Sequence, residues 1–237
     1  MRLDLWTMDS FRHDLKQFIA CLDKHAIKVE HYTLNTLLHQ IHKRQDFDIT
    51  LPDLVFRIDK KISGTNPNEV GRFVISLSHE CCLDAARHQA KTQDHITRFA
   101  FDIYIRAFVG SKEHHFAWHL DQQIPSATTK TTHPVYHFQA GGSAIENVNS
   151  GDLVILGAPR IPHPPMDIFL GVHFVLNNFY NTTDYPEVKR LFNDDDYLDV
   201  LRNSQTRMWA SYFTAYAPGA PQHQFYTRKS VFPLHVD

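Results

Sequence analysis

The chain has no run of 18 apolar residues, no Gly-x-Gly-x-x-Gly or Walker-type phosphate loop and no serine elbow. These gaps remove a membrane-spanning helix and the commonest nucleotide-binding and serine-hydrolase signatures. The longest apolar stretch, Ile168 to Leu176, is interrupted by His173. Cysteine is scarce: Cys21, Cys81 and Cys82 are odd in number and two are adjacent, which fits neither a disulfide framework nor the paired spacing of structural zinc. An excess of one charge is missing too. With 24 Lys+Arg against 26 Asp+Glu there is no global basic field to hold duplex DNA or an anionic membrane. The N-terminal MRLDLWTMDSFRHDL mixes charge into every turn and has no signal-peptide core. These absences predict a soluble, cytoplasmic protein with no membrane partner.

What is present is enough apolar material, 43% with 12% aromatic, to bury a sizeable core. The spacing of Phe11, Leu15, Phe18, Ile19 and Leu22 predicts an amphipathic helix capped by Asp9 or Ser10, and a second helix over about 34–42. Pro52 and SGTNPN (63–68) read as punctuation. Alternation at Phe73, Ile75 and Leu77, at Phe99 to Ala107, at Phe116, Trp118 and Leu120, and at Tyr136, Phe138 and Ala140 predicts antiparallel strands with one face in the core. A short helix around 83–91 interrupts them. Leu153–Leu156, apolar at every position, reads as a strand buried on both faces. Helices return over 166–180, 185–192 and 195–216, and a proline-rich end, PGAPQHQFYTRKSVFPLHVD, reads as an extended surface tail. The expected fold is therefore a single α+β domain over 1–237: N-terminal helices (1–50), an antiparallel meander of about five strands (55–158), C-terminal helices packed on the sheet (165–216) and a tail (217–237).

Histidine is abundant, 17 where an even share would give about 12. His114, His115, His119, His133, His137, His163 and His173 crowd one region. Side chains alternate across a strand, so fixing the apolar set in the core fixes the polar set on the other side. That side collects Asp102, Tyr104 and Arg106, then His115, His119 and Asp121, then His137 and Gln139, with Arg160 and His163 expected at the rim. His173, on an apolar helix, reads as a hydrogen-bonded core residue.

Two chemistries fit this set. In the first, a hydrolase cleaves a phosphodiester such as RNA without a metal: His119 and His137 act as acid and base, and Arg106 or Arg160, with Tyr104 or with His163 at a helix start, meets the phosphate charge. In the second, His119, Asp121 and a distant His137 or His163 form a two-histidine, one-carboxylate site for a divalent metal. SGDLVILGAPRIPHPP faintly resembles a cupin motif, although too few strands follow it to close such a barrel. A third class, a protein-interaction module without catalysis, needs none of this chemistry. A lone His-x-Asp is usually a solvated cross-strand pair, and it is the convergence of several such groups that carries the functional readings.

The phrases YHFQ and APRIPHPP, within residues 96–180, resemble those of TumE-type toxins of toxin–antitoxin pairs, and HPVYHFQAGG with PRIPHPPMD looks like a pattern of uncharacterised bacterial domains. The toxin resemblance implies a growth-inhibiting or antiviral-defence role, RNA cleavage restrained by an antitoxin partner, and functional roles for His137, Arg160 and His163.

Overall fold

A computed structural model describes residues 5–41, 47–123, 133–149, 160–216 and 223–234. Its centre is a six-stranded antiparallel sheet in the order of the chain: β1 (Phe47–Ile58), β2 (Arg72–Leu83), β3 (Ile96–Val109), β4 (Lys112–Gln122), β5 (Tyr136–Ala140) and the two-residue β6 (Ile161–Pro162). The α+β architecture is as expected, with one strand more than the alternation suggested. The proposed strand at 153–156 lies outside the described residues.

Helices cover the inner face of this sheet. Helix α1 (Met8–Lys24) is capped two or three residues earlier than expected, by Thr7, which accepts a hydrogen bond from the Ser10 amide at 3.2 Å. Helix α2 (His31–Ile41) follows, and β1 begins at Phe47, inside the stretch expected to be helical. Pro52 does not end this strand. The pairing of β1 with β2 slips between Leu51 and Leu54, so proline sits in a bulge on an edge strand, where its missing amide donor is tolerated.

Helix α3 (Ala85–Ala90) joins β2 to β3, and after β6 come α4 (Ile168–Phe179), α5 (Pro186–Leu191), α6 (Asp195–Met208) and α7 (Ala210–Phe213). Asp167 caps α4 by accepting from the amides of Phe169 and Leu170 at 3.1 and 3.2 Å, so Pro164 and Pro165 precede the helix instead of forming its first turn. The end of the chain is not an extended surface tail throughout. Thr227 and Ser230 form a reciprocal capping box for the short α8 (Arg228–Val231), and Tyr226 and Val231 are buried.

Phe11, Phe18 and Phe169 from the helices meet Phe56, Ile75, Leu77, Phe101 and Ile103 from the sheet in one apolar core. Close approach of α4 depends on Gly171: a Cβ there would lie 2.6 Å from Cε2 of Phe101 and 3.5 Å from Cδ2 of Leu77. Gly171→Ala should therefore lower stability by about 1–3 kcal/mol through overpacking, read as a lower urea midpoint with unchanged slope.

A buried ionic cluster ties the helices together. Arg207 of α6, with no solvent exposure, donates to Asp14 of α1 at 2.7 Å, lies 3.9 Å from Asp167, and is faced by the rings of Phe11 and Phe169. Asn203 also donates to Asp14, at 2.9 Å, and Ser204 to Asp167, at 2.5 Å. Burial raises the pKa of Asp167 against the opposing pull of Arg207.

Candidate functional site on the outer sheet face

The strand register decides which polar groups meet. Asp102 of β3 pairs with His119 of β4, which pairs with Gln139 of β5. In the adjacent row Ala100 pairs with Asp121, Asp121 with His137, and His137 with Pro162. The two imidazoles are thus diagonal neighbours on adjacent strands, a relation of about 7–8 Å at the backbone, within reach of one small bound group.

His119 and His137 are only 9% and 2% exposed although they face away from the core. Part of the cover over His119 is the turn after β5. Gly142 has φ 86° and ψ −179°, a region open essentially to glycine alone, and a Cβ on it would lie 2.7 Å from Cε1 of His119. Gly142→Ala should push His119 out of place and cost about 1–3 kcal/mol in backbone strain. Displaced imidazole signals for His119, with the other histidine signals unchanged, would mark this effect in NMR spectra.

The Gln139 side-chain amide joins His119 to Asp121. Its nitrogen contacts Nε2 of His119 and donates to Oδ2 of Asp121 at 3.0 Å, while that carboxylate lies 3.4 Å from the imidazole. Oε1 of Gln139 is buried and unpartnered among the described residues. The amide nitrogen donates both to the Nε2 lone pair and to Asp121; were Nε2 to carry a proton, the amide would have to move aside and the Asp121 carboxylate, 3.4 Å from the ring, would be the acceptor at hand. Asp102, largely exposed but crowded, has its pKa raised by partial desolvation and by the charge of Asp121, against the pull of His119.

His137 is held differently. Its Nδ1 lies 3.1 Å from the carbonyl oxygen of Pro134. A carbonyl only accepts, so Nδ1 carries the proton and Nε2 keeps its lone pair. Desolvation lowers the pKa of this ring, assisted by the charges of Arg160 and His133 and opposed by the Pro134 hydrogen bond and by Asp121. The ring is therefore neutral at pH 7, with Nε2 basic.

Arg160, just before β6, lies close enough to His137 for its charge to lower the pKa of that ring. His163 does not join them. It follows the short pairing of Phe138 with Ile161, and its ring packs against Phe138 at 4.8 Å and Phe174 at 6.2 Å on the inner side, with Nδ1 2.6 Å from the Pro164 carbonyl. The sheet separates it from His119 and Asp121, so the expected His119–Asp121–His163 metal set is not assembled. Among the described residues no group of three or more His, Cys, Asp or Glu side chains is placed to hold a metal ion.

Tyr104 and Arg106 occupy the same face farther along β3, engaged elsewhere. The Tyr104 hydroxyl lies 2.6 Å from Nδ1 of His115 with the rings nearly parallel, and Arg106 lies 3.6 Å from Glu113. Arg106 is thus occupied at the far end of the face, and Arg160 is the arginine beside the imidazoles. His173 lies 3.1 Å from the Tyr197 hydroxyl, the core role expected of it. Pro134 was not singled out from the sequence, since a carbonyl that orients a histidine leaves no side-chain signal. No helix among the described residues is long and apolar enough to cross a membrane. No protein-family model, curated protein or solved structure matches this chain.

Proposed function

We propose that the chain is a hydrolase of the ribonuclease kind that works by imidazole acid–base chemistry on the outer sheet face. The observation carrying this reading is the pairing of a neutral, carbonyl-oriented His137 with a His119 on the neighbouring strand, held between the Gln139 amide and the Asp121 carboxylate. Nε2 of His137 takes the proton of a ribose 2′-hydroxyl as its oxygen attacks phosphorus. The bond from phosphorus to the 5′ oxygen breaks, and His119 returns a proton to that leaving oxygen. The products are a 2′,3′-cyclic phosphate and a 5′-hydroxyl end. Asp121, 3.4 Å from the His119 ring, keeps that imidazole in place beside the leaving oxygen, and Arg160 meets the phosphate charge.

Asp102 and Asp121 flank the imidazoles, so a substrate that brings one phosphate between them fits better than one laying many phosphates along the face. Single-stranded RNA, whose backbone can be presented one linkage at a time, is the expected substrate class. Purified protein should cut end-labelled single-stranded RNA in EDTA and leave cyclic phosphate ends. Intact RNA with the wild-type chain would remove the reading. The toxin resemblance adds an antitoxin-like protein partner that restrains the activity by covering this face.

A further inference from the structure

Opposite the start of β5, the end of the chain closes over a second histidine cluster that the proposed chemistry does not use. His95 is fully buried just before β3, 5.6 Å by ring centroid from His88 of α3, 5.2 Å from Trp6 and 5.9 Å from Tyr226. His223 lies 4.8 Å from the same Tyr226 ring, and its Nδ1 accepts from the amides of Phe225 and Tyr226 at 3.2 and 3.4 Å. Neither ring nitrogen of His95, nor Nε2 of His223, meets a hydrogen-bond partner among the described residues.

Among the described residues the anion beside these rings is Asp94, whose charge opposes the lowering of the His223 pKa but whose oxygens are already committed. Asp94 accepts from the hydroxyls of Tyr226 and Tyr136, the latter at 2.6 Å, from Gln122 at 3.0 Å and from the Ile96 amide at 3.0 Å. The Asp94 carboxylate lies 4.0 Å from Nδ1 of His95. Lys91 at the end of α3 adds positive charge near His223, and Asp84 is turned to capping α3 and pairing with Arg87. The backbone of Arg207 in α6 approaches His95 and opposes the lowering of its pKa, without meeting hydrogen-bonding geometry. A proton on either His95 or His223 therefore creates a buried cation beside other imidazoles with no spare acceptor.

We infer that the segment from His223 to Val231 is a strap latched by neutral imidazoles, which acid releases. Its fastenings include the Gln224 amide donating to the Lys91 carbonyl at 2.9 Å, Tyr226 donating to Asp94, the Ser230 carbonyl accepting from the Val135 amide at 2.9 Å, the Val231 carbonyl accepting from the Tyr212 hydroxyl at 3.2 Å and Arg228 donating to the Ala215 carbonyl at 3.4 Å. Burial lowers the pKa of His95 to about 3, with His88 and His223 assisting, and lowers that of His223 as well. Both rings are near 6.5 when released, so the open state binds more protons. The latch is fully closed above pH 6.5 and weakens as pH falls below it.

The strap also reaches the candidate site. Ser230 fixes Val135, the neighbour of Pro134, whose carbonyl orients His137. Loss of catalysis on release rests on the function proposed above, whereas the latch itself does not.

Hydrogen exchange of amides 223–231, corrected for intrinsic pH dependence, tests it between pH 7.5 and 5. Opening should increase about tenfold per pH unit below 6.5 for one coupled proton, and more if both rings load. His95→Phe with His223→Asn keeps the ring packing and the local acceptor, and should flatten that slope. His223→Asn alone, which keeps the His95 packing and an acceptor for the Phe225 and Tyr226 amides, should reduce it and decides the matter if the double variant does not fold. An unchanged slope in the folded variants, or wild-type protection that is constant with pH, would overturn the latch. RNA cleavage measured in parallel separates the outcomes, since a pH-opened strap without cleavage at any pH removes the hydrolase and leaves the latch standing.

Discussion

His137→Ala should lower RNA cleavage by about two to four orders of magnitude, the usual contribution of a positioned acid or base, with the circular dichroism spectrum unchanged. The pH profile sharpens the expectation. Because burial and the Arg160 charge lower the pKa of His137, its basic form survives as pH falls past the ordinary histidine value near 6.5. The acidic limb of kcat/KM should therefore lie below pH 6.5. Arg160→Gln removes one of the charges that depress this pKa, so the limb should move to higher pH while KM rises. A limb that stays in place in an active Arg160→Gln variant would assign the base to another group.

Arg207→Met should be the most destabilising single change in the helical layer, costing about 3–5 kcal/mol, a large part of the 5–15 kcal/mol typical of a domain. The guanidinium is fully buried, and its removal strands Asp14 and Asp167, which are 1% and 4% exposed. Asp167 already has its pKa raised by burial, and loss of Arg207 raises it further. A carboxyl with a raised folded-state pKa loses stability as pH rises through that pKa. The deficit of the variant relative to wild type should thus narrow when urea unfolding is repeated at pH 5 instead of 7. A deficit that is small and constant with pH would mean that Asp14 and Asp167 find other partners.

The register that builds the outer face could be read from alternation alone, because each strand from β2 to β5 turns its large apolar side chains to one face. Asp102, Tyr104, Arg106, His115, His119, Asp121, His137 and Gln139 follow from that parity. His163 does not, since its side depends on how Ile161 and Pro162 pair with β5 after a long connection, a non-local fact with no pattern of its own. The β1 strand was hidden because Pro52 reads as a break, and only the pairing with β2 reveals the bulge that accommodates it. The end of the chain that carries the strap has three prolines in its last twenty residues and little periodicity. What anchors it, the Tyr226 hydroxyl on Asp94, spans a separation of 132 residues.

The bulge at Pro52 has a consequence for the molecule in a crowded solution. A meander leaves two free borders, and an uninterrupted one would template pairing between copies of the chain. On one border Pro52 breaks the ladder of donors, and the bridge from Val29 to Phe56 caps a further stretch of the same strand. On the other, the described part of β6 pairs with β5 over only two residues. Replacing Pro52 with a β-branched residue would restore the missing donor and invite the edge-to-edge growth that this irregularity discourages.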